Sequence, residues 1–385
     1  MCMEAIFEKT MAGERIAAVE ALCLFETASL PELSRLATIA RDRRTDPKRV
    51  SYVIDRNVNY TNICAIRCTF CAFHRSGESA DSYVLQLGEL GQKAAETKKL
   101  GGTGFLLQGG VNPALPWEYY LGMVSFLKEK CGIWVHGFSP AEVRHMSKIC
   151  GLDLKGTLKA LKDAGLGSLP GGGADILSDR VRQKIAPRKG STSDWLEVME
   201  TAHSIGMATT ATMMYGISET IRERIEHLSL LRDQQDRALA RMNGGGYTAF
   251  AAWPLQSGNT VWAGKIPETT DVEYLKTISI ARIFLDNFPH VQCSWVTMGK
   301  KIGQLALFYG CDDMGSVMIE ENVVRAAGAS HSATAAEIER LIRLAGFEPW
   351  QRDNVYIALP AGNGTECIGC AESEASRQAE RRGYR

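Results

Sequence analysis

The 385-residue sequence lacks an excess of charge of either sign and lacks any long apolar run. Its 44 basic and 44 acidic residues cancel and form no lysine- or arginine-rich face, so we expect no nucleic-acid partner. No apolar run approaches the ~20 residues of a membrane-spanning helix, and the start of the chain lacks the parts of a secretion signal. We therefore expect a cytoplasmic protein with no membrane partner.

The sequence also lacks the cysteine spacing of a disulfide framework, although it contains 11 cysteines. An odd number of scattered cysteines indicates reduced thiols and a reducing compartment. Fixed-period repeats and low-complexity tracts are absent too. A composition that is 45% apolar allows a sizeable core, so the chain is expected to fold without stabilising cross-links such as disulfide bonds.

Strand and helix patterns alternate along most of the chain. Two amphipathic segments, roughly 12–24 and 30–44, come first, and eight β-rich runs separated by helical segments follow. This alternation predicts an α/β protein with a parallel sheet, and eight units predict a (β/α)8 TIM-type barrel. We expect an N-terminal helical extension over 1–48, the barrel over 49–330, and a C-terminal helix and tail over 331–385.

Three cysteines stand close together in the stretch CAIRCTFCAF, which directly follows the first β-rich run. Cys64, Cys68 and Cys71 have C-x3-C-x2-C spacing. A closed zinc site needs four protein ligands and a ferredoxin-type cluster needs four thiolates, so three cysteines leave one metal position open to a small molecule. The alternatives are a chance cluster and a zinc site completed by a distant ligand. In a parallel barrel this loop would lie at the active-site mouth.

The cysteine spacing resembles that of the radical S-adenosylmethionine (SAM) superfamily. Between about 50 and 352, the stretches NVNYTNIC, CAFHR, LLQGG, GFSPAEV, SLPGGGADIL, TATMMYG, SWVTMGKKIGQLAL and GSVMIEENVV resemble the dehypoxanthine futalosine cyclase family of the futalosine route to menaquinone. Aminofutalosine synthase and the deazaflavin-cofactor (F0) synthases share much of this pattern. The stretches TATMMYG, YTAFAAWPLQ and SWVT favour the cyclase.

The resemblance implies a [4Fe-4S] cluster on the three cysteines, SAM on the open iron, and an electron donor such as flavodoxin or ferredoxin. A 5′-deoxyadenosyl radical would take a hydrogen from the ribose of a nucleoside substrate, and the sugar radical would attack the attached benzoate ring. Oxidation and proton loss would then give a spirocyclic product. An electron carrier or cluster scaffold that does not bind SAM is the alternative from outside the enzymes.

The predicted site residues lie at or near the ends of the β-rich runs. The expected cofactor contacts are Phe70, Gln108, Gly109, Gly110, Ser139 and Asp175. The acid–base candidates are Glu219 and Glu321, for which a helix N-terminus is the alternative reading. The expected substrate contacts are Asp55, Asn57 and Asn59, which share one face of the first strand, with Arg75, Trp253, Trp295 and Asn322. Arg56 is the alternative to Arg75 for a substrate carboxylate, and internal hydrogen-bond networks could equally explain the polar row.

Two positions depart from the family pattern. Asp175 stands where the family has glutamate, and Ile217 stands where it has histidine, so a different group would have to accept the proton. In the tail, Cys367 and Cys370 form a C-x2-C pair without a family counterpart. An incidental pair, a second cluster and a redox pair are the interpretations left open there.

Overall fold

The N-terminal part of the chain is helical. A computed structural model describes residues 3–359, so Cys367 and Cys370 lie outside the described residues. Helices α1 (Met3–Ala12), α2 (Ala18–Thr27) and α3 (Leu30–Asp42) precede the sheet. At the start of α3 the Glu32 carboxylate accepts the Ser29 backbone N–H at 2.7 Å, which satisfies a donor that the helix leaves free. Near its end, the buried Arg41 donates to the Leu307 carbonyl oxygen at 2.9 Å and ties α3 to the rest of the chain.

All ten strands of the described residues pair in parallel, in the order β10-β1-β9-β8-β7-β6-β5-β4-β3-β2. Their bounds are β1 (Arg49–Val53), β2 (Asp55–Val58), β3 (Gly104–Leu107), β4 (Trp134–Gly137), β5 (Leu166–Leu169), β6 (Ala208–Tyr215), β7 (Gly246–Pro254), β8 (His290–Gln292), β9 (Asp313–Ser316) and β10 (Glu348–Arg352).

Helices connect these strands in the way that parallel pairing requires. Their bounds are α4 (Leu87–Lys99), α5 (Trp117–Ser125), α6 (Pro140–Cys150), α7 (Leu154–Asp163), α8 (Asp179–Ile185), α9 (Thr192–Ser204), α10 (Ile221–Ala240), α11 (Asp271–Phe284), α12 (Trp295–Met298), α13 (Lys300–Ala306), α14 (Val323–Ala326) and α15 (Ala335–Leu344). None of the helices in residues 3–359 is both long and apolar enough to cross a membrane.

Strands β1 and β2 belong to one continuous chain segment, 49–58, through which the sheet closes. Only Ile54 separates β1 from β2; β1 pairs with β9, and β2 pairs with β3. The Val53 carbonyl accepts the Val317 N–H at 3.0 Å, whereas the Ile54 carbonyl accepts the Thr103 N–H at 3.2 Å. Segment 49–58 therefore has a neighbour on each side, and the sheet curls into the predicted TIM-type barrel with eight strand positions.

Strand β10 is an addition that the sequence patterns did not predict. It pairs in parallel with β1 outside the eight positions, and its Pro349 is compatible with an edge strand. Its last residue, Arg352, is buried and donates to the Asp313 carboxylate of β9, with Nη2 3.0 Å from Oδ1. The guanidinium also lies 3.9 Å from the centre of the Tyr356 ring. This ion pair fastens the C-terminal segment to the barrel.

Removing the cation of this ion pair should destabilise the fold. Arg352→Met leaves the buried Asp313 carboxylate unpaired, so we expect the free energy of unfolding to fall by about 3–5 kcal/mol. The measurement is urea unfolding followed by circular dichroism under anaerobic conditions. Arg343→Ala is the matched control, because its exposed ion pair with Glu339 should contribute at most about 0.5 kcal/mol. Equal stability losses in the two variants would contradict this assignment.

Candidate active site

The three cysteines lie in the long loop that follows β2, at the carboxyl end of the barrel. All three are free thiols and line one cavity of about 440 Å³. Backbone hydrogen bonds fasten the loop to other parts of the chain: the Ala65 N–H donates to the Val111 carbonyl at 2.8 Å, and the Thr69 N–H donates to the Ile185 carbonyl at 2.8 Å. The triplet is therefore held over the barrel interior, as expected for a loop at a strand end.

Neither arginine proposed for a substrate carboxylate lines this cavity. Arg75 holds the cysteine loop instead: its Nη1 donates to the carbonyl oxygens of residues 72–74, and its Nε lies 2.7 Å from the Asp81 carboxylate. Arg56 pairs with Glu96 at 2.9 Å. Arg56 alternates with the inward-facing residues of β2, so its side chain lies on the opposite face of the strand. The substrate role predicted for Arg75 thus has no geometric support.

The glycine pair at the end of β3 packs directly against the cysteine loop. A Cβ on Gly110 would lie 2.1 Å from the Ile63 carbonyl oxygen, and a Cβ on Gly109 would lie 2.5 Å from the Tyr60 ring. Only glycine permits this approach. Gln108 and both glycines line the cavity, as predicted for residues beside a bound cofactor.

A buried carboxylate, Glu142, joins this glycine pair to the start of α6. It accepts the Tyr60 hydroxyl at 2.6 Å and the Gly109 N–H at 2.9 Å, and its other oxygen accepts the Ser139 hydroxyl at 2.6 Å and backbone N–H at 2.7 Å. Burial raises the pKa of Glu142, although these hydrogen bonds oppose the rise. Ser139 lines the cavity, but its hydroxyl is engaged by Glu142. The S-x-x-E spacing of a capping box was the sequence signal for this contact.

A second ion pair, Asp175–Lys189, lies beside the triplet. Lys189 Nζ is 2.9 and 2.8 Å from the two Asp175 carboxylate oxygens and 5.1 Å from the centre of the Phe70 ring. Asp175, Lys189 and Phe70 all line the cavity. Burial lowers the pKa of Lys189, but the Asp175 charge, the neighbouring Cys68 and the hydrogen bond to Asp175 together outweigh burial and leave that pKa raised. Lys189 was missed because an isolated lysine before a glycine carries no periodic signal.

The polar row predicted on the first strand lines the cavity. The Asn57 side-chain amide donates to Glu321 at 2.6 Å, whereas Asn57 Oδ1 has no hydrogen-bond partner within residues 3–359. Asp55 accepts a hydrogen bond from the Asn354 amide at 3.2 Å and another from the Ser316 hydroxyl. Burial raises the pKa of Asp55, which favours its protonated form.

Farther along this row, Asn59 donates to the Gln108 carbonyl at 3.2 Å and accepts from Asn322 at 3.3 Å. Asn322 is not among the residues that line the cavity and contacts the row only through Asn59, within the described residues. The Asn322 prediction is thereby reduced to an indirect role.

A second wall, which carries the aromatic surface of the cavity, comes from β6, β7 and the segment after β8. Trp253 and Trp295 both line it, and the Trp295 indole N–H donates to the Ser316 carbonyl at 3.1 Å. Ala211, Met214, Ala249, Phe250 and Ala251 add apolar surface to this wall, whereas Thr210, Thr212, Ser294 and Thr297 add hydroxyl groups. The cavity thus offers hydrogen-bonding groups on one side and aromatic surface on the other.

Only one of the two acid–base candidates lies in the cavity. Glu219 does not line it: its carboxylate accepts the backbone N–H groups of Gly216 at 2.7 Å and Ile217 at 3.1 Å, and it pairs with Arg224 at 2.8 Å. Burial raises the pKa of Glu219, but Arg224 and the backbone donors outweigh burial and leave that pKa lowered. Glu219 therefore holds the loop before α10 and ties it to Arg224 of that helix, a role that neither interpretation of the sequence described. Glu321 does line the cavity, and its Oε1 accepts the Val323 N–H at 2.8 Å.

Comparison with known proteins agrees with this geometry. The profile of the radical SAM superfamily matches residues 58–231, and that of the CofH/MqnC C-terminal region matches residues 244–363. A cyclic dehypoxanthine futalosine synthase of Streptomyces coelicolor is 42% identical over 92% of this chain and 88% of its own length. This chain belongs to the radical SAM superfamily. Within it, the chain is a member of the CofH/MqnC family.

Two further relatives carry two different names. A cyclic dehypoxanthine futalosine synthase of Halalkalibacterium halodurans is 40% identical over 92% of this radical SAM protein and 95% of its own length. An aminodeoxyfutalosine synthase of Thermus thermophilus is 39% identical over 91% and 94%. Among solved structures, the hydrogenase maturase HydG matches 90% of this chain and 75% of its own, with a TM-score of 0.69 at 17% identity. Methylornithine synthase matches 89% and 96%, with a TM-score of 0.65 at 18% identity, and both likenesses concern the fold.

Radical SAM enzymes use a [4Fe-4S] cluster and SAM, act on small molecules and take electrons from a reductant. The residues of this radical SAM protein fit such a cluster, because three free thiols face one cavity and a glycine pair keeps the adjacent backbone close. Within residues 3–359, no group of three or more His, Cys, Asp or Glu side chains, the cysteine triplet included, is arranged around a single metal position.

The close approach at Gly110 generates a prediction about cluster loading. Gly110→Ala would push its Cβ into the Ile63 carbonyl and the Cys64 Cβ, at a packing cost of about 1–3 kcal/mol that the cysteine loop can relieve by moving. We expect iron and sulfide content after anaerobic reconstitution to fall while the circular dichroism spectrum stays unchanged. Gly122→Ala in α5 is the control, since its added Cβ meets nothing within 4 Å. Full iron content in Gly110→Ala would show that the loop tolerates the methyl group.

Proposed function

We propose that this radical SAM enzyme converts dehypoxanthine futalosine into cyclic dehypoxanthine futalosine, a step of the futalosine route to menaquinone. The two-sided cavity carries the proposal. Its polar row suits the hydroxyl groups of a ribose, and its aromatic wall suits a benzoate ring, with the cysteine loop at the same cavity. Relatives of that name are 42% and 40% identical over most of the chain, which supports the same reaction.

In this proposal the cavity mouth holds the cofactors. Cys64, Cys68 and Cys71 ligate three irons of the cluster. Once bound, the cluster and SAM supply the 5′-deoxyadenosyl radical that removes a hydrogen atom from the ribose. Six residues that line the cavity would contact SAM and exclude water from it, namely Phe70, Gln108, Gly109, Gly110, Ser139 and Asp175.

The substrate lies deeper, between the two walls. The unpartnered Asn57 Oδ1 accepts a ribose hydroxyl, while Asp55 and Asn59 extend the same polar surface. Trp253 and Trp295 pack on the ring. A buried acceptor without a partner loses free energy, about 1–3 kcal/mol, and a substrate hydroxyl would restore its hydrogen bond.

Glu321 accepts the proton that the benzoate ring loses. Of the four carboxylates that line the cavity within the described residues, Glu142 is occupied by four donors and Asp175 has both oxygens on Lys189. Asp55 accepts the Ser316 hydroxyl on one carboxylate oxygen and the Asn354 amide on the other. Glu321 has three neutral donors, the Val323 and Val324 N–H groups on Oε1 and the Asn57 amide at 2.6 Å on Oε2, but no cationic partner among the described residues, so it keeps the basicity that an acceptor needs.

The reductant and the compartment complete the proposal. We infer that flavodoxin or ferredoxin supplies the electron, because the cluster must be reduced from outside the chain. A cytoplasmic location fits the free thiols of the described residues, since a reducing compartment keeps cysteines available to iron.

Aminofutalosine synthase is the second candidate, and the 39% identity with the Thermus thermophilus relative favours it. The two reactions differ in the fate of the nucleoside. The synthase joins the adenosyl group to its substrate, whereas the cyclase releases free 5′-deoxyadenosine. Product analysis therefore separates them.

The deciding measurement is anaerobic turnover of dehypoxanthine futalosine by the reduced, reconstituted protein, followed by mass spectrometry. We expect free 5′-deoxyadenosine in about equal amount to a product that is lighter than the substrate by two hydrogen atoms. One hydrogen atom leaves with the adenosyl group, and the cyclised radical then loses a proton and one electron, which would return to the oxidised cluster. Cys68→Ala should form neither compound, since it removes a cluster ligand.

Three other outcomes would reject the cyclase assignment. An adenosylated product would indicate the synthase, and SAM cleavage with unchanged substrate would indicate another member of the family. An intact cluster that cleaves no SAM would indicate an electron carrier or cluster scaffold.

A further inference from the structure

Three side chains, Trp134 of β4, Ser168 of β5 and His136 of β4, form a row of hydrogen bonds that ends at the cavity. The Trp134 indole Nε1 lies 3.0 Å from the Ser168 Oγ, and the same oxygen lies 2.7 Å from His136 Nδ1. Ser168 and His136 are direct partners in the β4–β5 pairing. His136 lines the cavity, and its Nε2 has no hydrogen-bond partner among residues 3–359.

Gly167 makes this row of hydrogen bonds possible. A Cβ at this position would lie 2.3 Å from the Trp134 ring, so a larger residue would push the indole away from Ser168. The glycine therefore lets the indole cross the neighbouring strand and reach the hydroxyl.

The order of donors fixes the position of the imidazole proton. An indole N–H only donates, so Ser168 Oγ accepts from Trp134. The Ser168 hydroxyl hydrogen then needs an acceptor, and His136 Nδ1 is the acceptor within reach in the described part of the chain. If Nδ1 accepts, a neutral imidazole carries its hydrogen on Nε2, and that N–H faces the cavity.

The imidazole is neutral because of its surroundings. Burial lowers the pKa of His136 to about 3, and the positive charge of Arg352, another cavity-lining residue, adds to this effect. His136 is consequently a hydrogen-bond donor at neutral pH, without a net charge.

We propose that His136 is a substrate-positioning residue, whose Nε2–H donates to an acceptor oxygen of the substrate, a carboxylate or a carbonyl. The inference rests on the proposed function, in which the benzoate group supplies such an oxygen. Trp134 and Ser168 act through His136 by holding its tautomer and ring orientation. This assignment also removes His136 from the candidate proton acceptors, since Nε2 already carries a hydrogen.

The tautomer can be tested without turnover. In protein labelled with ¹⁵N-histidine and carrying its oxidised cluster, the His136 resonances are identified by their loss in His136→Gln. We expect a protonated Nε2 and an unprotonated Nδ1 at neutral pH. A protonated Nδ1, or an imidazolium, would overturn the inference.

Kinetics test the contact with the substrate. His136→Phe keeps a ring of similar shape but removes the donor, so KM for dehypoxanthine futalosine should rise about tenfold or more, with a smaller change in kcat. His136→Gln keeps an N–H near the Nε2 position and should recover part of the loss. The matched control is His203→Gln, because His203 is also buried and also pairs with a hydroxyl, Thr209 at 2.8 Å, but does not line the cavity.

An unchanged KM in His136→Phe, or an equal rise in His203→Gln, would overturn the positioning role. If His136→Phe does not fold, Ser168→Ala replaces it: the imidazole remains, and we expect mixed tautomers with a raised KM. One tautomer with a wild-type KM in Ser168→Ala would equally count against the proposal. Failure of the proposed function would look different, since the wild-type protein itself would not turn over dehypoxanthine futalosine.

Discussion

The backbone hydrogen bonds of segment 49–58 are the constraint on which the rest of the molecule depends. Its first part, β1, pairs with β9 and β10, and its second part, β2, pairs with β3, so one segment closes the ring of strands. Closure brings every strand end to one mouth, where the cysteine loop lies. It also turns Asp55, Asn57 and Asn59 inward, where each needs a partner. Neighbouring segments supply them: Ser316 and Asn354 for Asp55, Glu321 for Asn57, and Asn322 for Asn59.

At the mouth of the barrel, the buried Glu142 carboxylate connects three motifs that are distant in the chain. Glu142 receives hydrogen bonds from Tyr60 before the cysteine loop, from Gly109 after β3 and from Ser139 at the start of α6. A fully satisfied buried carboxylate fixes the positions of its donors, whereas the loss of one donor would leave costly unpaired groups. The hydrogen bond from Gly109 to Glu142 therefore fixes the glycine pair against the cysteine loop. A cofactor bound there would meet a rigid backbone.

Features set by local sequence could be predicted, and features set by distant partners could not. The eight strands follow from local periodicity, and the cysteine triplet follows from spacing within eight residues. Arg56 could have been excluded by strand alternation. The loop-bracing role of Arg75 could not have been foreseen, because three of its four partners are carbonyl oxygens, which carry no side-chain signal. Lys189 and Arg352 enter the cavity from two segments without a motif, and EPWQR, with its proline and two charges, does not read as a strand.

The two departures from the family pattern have different physical consequences. Asp175 is shorter than the usual glutamate, yet Lys189 binds both of its oxygens, so the carboxylate has a defined position beside the cysteine loop. Ile217 is buried in the apolar core and does not line the cavity, and its backbone N–H donates to the Glu219 carboxylate at 3.1 Å. The proton acceptor must then come from groups already in the cavity. In the proposed reaction, His136 donates there, Glu142 already accepts from four donors and Asp175 is paired with Lys189. Glu321 has no cationic partner among residues 3–359, so we propose it as the acceptor, and its hydrogen bond with Asn57 would couple hydroxyl binding to proton removal.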